Sequence, residues 1–118
     1  MGACLAVGSA SAPAAPPMPS PVLAGYLPEY RVDGYDFDRA KGVTEVLFFS
    51  VEPAPTGHIA VKPEIAQALA KVRAETGQRG MRLWLCIGGW GRSAGFAAMS
   101  TNPEARAVFI TEILRLCR

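Results

Sequence analysis

LWLCIGGWGRSAGF, Leu83 to Phe96, decides how the rest of this chain is read. Its opening run, Leu83 to Ile87, is apolar without alternation, the pattern of a strand buried on both faces, as in parallel sheets. Gly88 and Gly89 follow at once and, lacking a Cβ, let the backbone turn sharply at the strand's end. Trp90 comes next. A glycine-rich loop of this kind cradles a phosphate, presents a flat platform to a sugar ring, or simply turns tightly over a core.

Gly89-Trp90-Gly91-Arg92-Ser93-Ala94 formally matches G-x-G-x-x-A, whose mechanism is a helix N-terminus offering free amides to a pyrophosphate. Gly95 follows directly, however, and the clear helix-start signal lies downstream at Thr101. Glu112 falls inside a helix instead of at the end of a following strand, and the loop follows the third strand, not the first. The Lys-Ser/Thr ending of a P-loop is missing too. No nucleotide or other cofactor is expected.

Working outward, VLAGYL (Val22 to Leu27), set between Pro21 and Pro28, reads as a short buried strand. Val43 to Val51 is β-branched and aromatic, and Pro53 stops it. Between them YDFDRAKG has room for a turn or one short helix. PEIAQALAKVRAE starts at Pro63, which needs no amide hydrogen bond in a first turn; Ile65, Leu69 and Val72 line one face, with Glu64, Gln67 and Lys71 on the other. Gly77 ends that helix, and Arg79-Gly80 turn into MRLWLCI. The last helix has two competing starts, Thr101 with Glu104 at capping-box spacing and Asn102-Pro103, and a broad apolar stripe of Phe109, Ile110, Ile113, Leu114 and Cys117. Strand, strand, helix, strand, helix predicts an α/β fold with a parallel sheet and covering helices. In a parallel barrel the loops at the C-terminal strand ends line the active site, which places Trp90 near the mouth. A tryptophan that caps the core beneath the loop fits the composition equally well.

The chain has 118 residues, half of them hydrophobic, enough for one modest domain. Residues 1–21 carry no charge and are dense in Ala, Pro and Ser, a disordered or signal-like leader, which leaves 22–118 to carry the fold. ACLAVGSASA has the apolar core and small-residue end of a signal peptide but no basic residue ahead of it, so secretion stays open. Ala6 stands where myristoylation wants Ser or Thr. A formal charge of +2 with dispersed Lys and Arg predicts no nucleic-acid surface, and nothing approaches the roughly 20 apolar residues of a membrane span. Cys4, Cys86 and Cys117 have neither metal spacing nor a disulfide framework. No metal is expected.

Three stretches, VLAGYLPEYR, VTEVLFFSVEP and LWLCIGGWGRSAGFAAMSTNPEARAVFITEILRLC, resemble the first three strand-loop units of glycoside hydrolase family 18, the chitinase family. The third is the most specific: Gly88, Gly89, Trp90, Ser93, Phe96, Arg106 and Phe109 fall in place, with Cys86 where the family pattern has serine. The first carries Gly25, Tyr26, Pro28 and Tyr30. The second keeps Thr44 and Phe48, replaces a histidine by Glu45, and shifts an aromatic to Phe49 beside Ser50. The resemblance covers about residues 22 to 118. It implies an incomplete (β/α)8 TIM barrel acting on chitin, chito-oligosaccharides or related N-acetylglucosamine glycans, with the remaining strands expected beyond residue 118. It also implies Tyr26, Phe49, Gly88, Gly89 and Trp90 as sugar-facing residues that stack on the glycan and build its floor.

The resemblance further implies where the catalytic acid belongs. In the family it is the glutamate of D-G-x-D-x-D-x-E after the fourth strand, and the substrate's own acetamido group is the nucleophile. Asp33-Gly34-Tyr35-Asp36-Phe37-Asp38-Arg39-Ala40 copies that pattern before the second strand, with Ala40 where the glutamate must be. Strand-like alternation would put Asp36 and Asp38 on one face; acidic residues on a solvated turn are the plainer reading. Glu29 and Glu52 each follow a strand, but retaining chemistry needs two carboxyls about 5 Å apart, and charged rim residues explain both. His58 reads as a surface residue and Cys86 as a small buried hydrophobe. Residues 1–118 alone are therefore expected to be inactive. The alternatives are a non-catalytic carbohydrate-binding or structural relative of the family, and an unrelated small α/β domain acting through protein contacts.

Overall fold

The computed structural model describes residues 19–118; Cys4 and nearly all of the leader reading lie outside the described residues. Three strands, β1 (Ala24–Pro28), β2 (Glu45–Val51) and β3 (Arg82–Ile87), pair in parallel in the order β1-β2-β3. β1 starts two residues later than its apolar run suggests and continues through Pro28, a position that proline tolerates on an edge strand. Ahead of it Thr44 performs the pairing: its Oγ1 accepts from Leu23 N at 3.0 Å and its N donates to Leu23 O at 2.9 Å. β2 is central and holds the apolar residues Val46 and Phe48 buried.

The connection from β1 to β2 contains two short 3-10 helices, Glu29–Gly34 and Phe37–Arg39, in place of the single turn or helix expected. Each buries one anchor, Val32 and Phe37. The helix α1 (Pro63–Gln78) then crosses the sheet, with Leu69 and Val72 packed on Leu27, Val46 and Phe48 and on the two anchors. It runs one residue past Gly77. The turn into β3 is made by Gly80, whose φ of +65° suits a residue without a Cβ.

After β3 come α2 (Ala94–Thr101) and α3 (Pro103–Cys117). α2 is a correction to the sequence reading, which begins helix only at Thr101. Gly95 hid it, and the structure supplies the reason for that glycine: a Cβ there would lie 1.9 Å from Pro53 O, so α2 is seated directly on backbone. Asn102 wins the competition for the α3 cap, its Oδ1 accepting from Glu104 N at 2.9 Å and Ala105 N at 3.2 Å. Thr101 instead closes α2, its hydroxyl donating to Ala98 O at 3.0 Å. Of the apolar stripe on α3, Phe109 and Ile113 join Leu116 against Val51 and Ile59. Ile110, Leu114 and Cys117 stay exposed. Arg73 ties the two long helices together by donating to Leu116 O at 2.6 Å.

The turn that seats α3 is tight. Gly57 has φ +87°, its N donates to Ala54 O at 2.9 Å, and a Cβ on it would lie 1.9 Å from Ala105 O. Gly57→Ala is expected to cost about 1–3 kcal/mol, the range for overpacked sites. A urea titration showing an unchanged midpoint would mean that α3 does not rest on this turn.

Among the described residues, helices cover one face of the sheet. The pairing puts Tyr26, Leu47 and Trp84 in one row across the other face, and alternation adds Phe49 and Cys86. Tyr26 is 71% exposed and Trp84 46%, so this aromatic face is open.

Candidate functional site

Because the strands are parallel, the C-terminal ends of β1, β2 and β3 meet at one edge, and the loop Gly88–Ser93 rises from that edge. Gly88 N donates to Val51 O at 2.8 Å, carrying the sheet one step into the loop. The Phe49–Ser50 peptide is cis, and the register of β2 on β3 shifts between Phe48 and Val51. Gly88 and Gly89 have φ of +80° and +114°, where a side chain is strained. Space forbids one as well: a Cβ on Gly89 would lie 2.5 Å from Phe49 Cζ, and one on Gly88 2.6 Å from Phe96 Cε2.

Four of the five residues singled out from sequence thus form a connected floor. Gly88 is buried, Gly89 rests on the Phe49 ring, and Phe49 meets Tyr26 edge to face at 6.5 Å between centroids and 80° between planes. The fifth, Trp90, is 96% exposed, so it does not cap the core. Its place is set through the backbone: Arg92 N donates to Gly89 O at 3.0 Å, and Ser93 Oγ both accepts from Gly89 N and donates to Gly89 O at 3.1 Å.

Arg92 is the residue that sequence reasoning missed. Its guanidinium crosses the end of β2, donating to Ser50 O at 2.9 Å, and reaches Glu29, just after β1, at 2.5 Å. The Glu29 side chain is only 13% exposed, and its Oε2 is buried without a hydrogen-bond partner. Glu29 is therefore tied to an arginine, while Glu52 is exposed. The signal for this pair, opposite charges after strands one and three, becomes visible only once the strands are known to be parallel neighbours of β2.

The acidic decoy resolves as the solvated reading has it, and strand-like alternation does not occur there. Asp36 caps the second 3-10 helix by accepting from Asp38 N at 3.0 Å. Asp33 faces Lys71 at 3.5 Å and Asp38 faces Arg79 at 2.5 Å, both carboxylates in solvent. Glu45, in the histidine position of the resemblance, sits at the opposite strand end and accepts from the Trp84 indole N–H at 2.7 Å and from Arg82 at 3.0 Å. His58 is exposed. Cys86 is half-buried, and burial pushes its thiol pKa up, away from the thiolate a nucleophile needs.

α2 begins at Ala94, directly after the loop, so the objection to a phosphate cradle based on helix position falls. A better one replaces it: the first turn of α2 lies against Pro53 O, a carbonyl that would repel a phosphate. Among the described residues no three His, Cys, Asp or Glu side chains gather to hold a metal, and no helix is long and apolar enough to cross a membrane.

A parallel sheet with helices on one face, an open aromatic face on the other, and loops gathered at the C-terminal strand ends is part of a (β/α)8 barrel. No family model matches the sequence, and no curated protein does. Solved structures do. A chitinase from Rhizomucor miehei superposes with a TM-score of 0.67 at 18% identity, over 79% of this chain and 28% of that one. The Group IV chitinase of Ostrinia furnacalis matches at 0.67 and 18% over 80% of this chain and 29% of that one. The chitinase domain of the spore coat protein CotE from Clostridium difficile matches at 0.63 and 22% over 81% and 26%. The chain thus has the fold of an incomplete barrel of the kind these chitinases contain, and it spans under a third of their length.

Proposed function

We propose that residues 22–118 are the N-terminal part of a family 18, chitinase-like barrel that acts on chitin or related N-acetylglucosamine glycans in carbohydrate metabolism. This stretch supplies the glycan-facing floor, and the proton donor belongs to strands beyond residue 118. One observation carries the reading: Trp90, 96% exposed, stands at the C-terminal edge of a parallel sheet beside a floor of Gly89, Phe49 and Tyr26. An indole face in that position stacks on a pyranose ring, the glycines let the sugar approach the backbone, and the two aromatic rings line its floor. The chitinase neighbours support the same substrate class.

Acid catalysis is a different matter. The signature copy at Asp33–Arg39 is followed by Ala40, which has no proton to give, and Glu29 is held in an ion pair. Residues 1–118 are expected to release no chromophore from a chitobioside; turnover that persists through repeated purification would overturn this. Titration with chitotetraose is expected to change the tryptophan fluorescence saturably and to lose that response in Trp90→Ala. A wild-type chain that gives no response, or a Trp90→Ala variant that keeps it, counts against the platform.

The exposed platform without an acid also favours a second reading, a non-catalytic carbohydrate-binding or structural relative. Reading the transcript past Arg118 separates the two. A complete D-G-x-D-x-D-x-E within about 40 residues, one βαβ unit of chain, supports the enzyme.

A further inference from the structure

Trp90 lies between Gly89 and Gly91, and Gly88, Gly89 and Gly91 all have positive φ. Glycines surrender the most backbone freedom when a loop is ordered, so the bonds of Ser93 and the Arg92 amide to Gly89 fix the loop's own turn but leave its far end to be anchored by a contact outside the loop. The structure offers one such tether. Two residues after Trp90, the Arg92 guanidinium leaves the loop and grips Ser50 O at 2.9 Å on β2 and Glu29 Oε1 at 2.5 Å beyond β1. One side chain thereby joins all three strand ends.

We propose that Arg92, paired with Glu29, is a positioning residue that holds the Trp90 platform over its floor; as a statement about glycan affinity this rests on the sugar-binding reading above. Arginine is suited to the task because its planar fork addresses two acceptors at once, which a lysine ammonium on a flexible stem does not. Glu29 is suited because its side chain is largely buried, with Arg92 on Oε1 and no hydrogen-bond partner on Oε2, so Arg92 is what offsets the burial of its charge. Without Arg92 the Glu29 carboxylate turns to water and the loop loses its anchor on β1.

The test compares Arg92→Met, Arg92→Lys and Glu29→Met with the wild-type chain at low micromolar concentration. Two measurements are made: chitotetraose affinity by tryptophan fluorescence, and hydrogen exchange at the Gly88 and Gly89 amides against the core amides of Val46 and Phe48. Arg92→Met is expected to weaken binding about tenfold, the scale of one charge-assisted hydrogen bond, and to speed loop exchange while core exchange is unchanged. Arg92→Lys, one ammonium for two acceptors, and Glu29→Met, which keeps the Ser50 contact alone, are expected to fall between. Wild-type affinity together with wild-type loop exchange in Arg92→Met overturns the tether and leaves the platform standing. A wild-type chain that binds no chitotetraose defeats the sugar-binding reading instead, and loop exchange alone then decides the tether. Should Arg92→Met fail to fold, unchanged loop exchange in Glu29→Met overturns the proposal.

Discussion

Phe48→Ala is expected to leave the chain without a cooperative unfolding transition. Phe48 is fully buried on the central strand, in one core cluster with Leu27, Val32, Phe37, Val46, Leu69 and Val72. Truncating a core phenylalanine costs about 3–5 kcal/mol, counting both the lost transfer energy and the cavity. A whole domain of ordinary size is stable by about 5–15 kcal/mol, and this one leaves a face of its sheet open. The single substitution therefore removes most or all of the stability. Phe48→Leu, which keeps most of the volume, should cost under about 1.5 kcal/mol and fold. Far-UV circular dichroism under urea reads both variants; a cooperative transition of wild-type midpoint in Phe48→Ala would show that the sheet and α1 do not share this core.

The second large effect concerns the open face. Tyr26, Leu47, Phe49 and Trp84 form an apolar surface on the side where a closed barrel keeps its interior. Among the described residues β1 and β3 are edge strands with unpaired backbone groups. A 12.5 kDa chain carrying both features is expected to self-associate, its sedimenting mass rising with concentration above that of the monomer. Tyr26→Lys puts a charge on that face at a site 71% exposed, so it costs the fold little. In a pairwise contact each copy contributes one Tyr26, and association should weaken about tenfold or more. A wild-type chain that sediments as a monomer at every concentration would contradict this account of the face.

How much of this was legible beforehand differs from residue to residue. β2, β3, α1 and the body of α3 follow from unbroken apolar runs and 3.6-residue periodicity, signals contained within a dozen neighbouring positions. The glycine loop was legible for the same reason, since glycines directly after a buried strand signal a sharp turn wherever the strand lies. α2 was not, because Gly95 reads locally as a helix breaker and earns its place only through Pro53, some forty positions earlier in the chain. Three of the five floor and platform residues could be found as glycines and a tryptophan in a motif. That Gly89 lies on Phe49, and Phe49 against Tyr26, required the pairing of all three strands.

The residues alone determined a parallel sheet with covering helices and a glycine turn after its third strand, because spacing, capping and side-chain identity act over short range. Tertiary structure alone decided that Trp90 stands in solvent, that Asn102 and not Thr101 caps α3, and that Arg92 reaches Glu29, 63 positions away. Exposure and long-range ion pairs depend on which strand ends are neighbours. Strand register sets that, and no stretch of a dozen residues contains it.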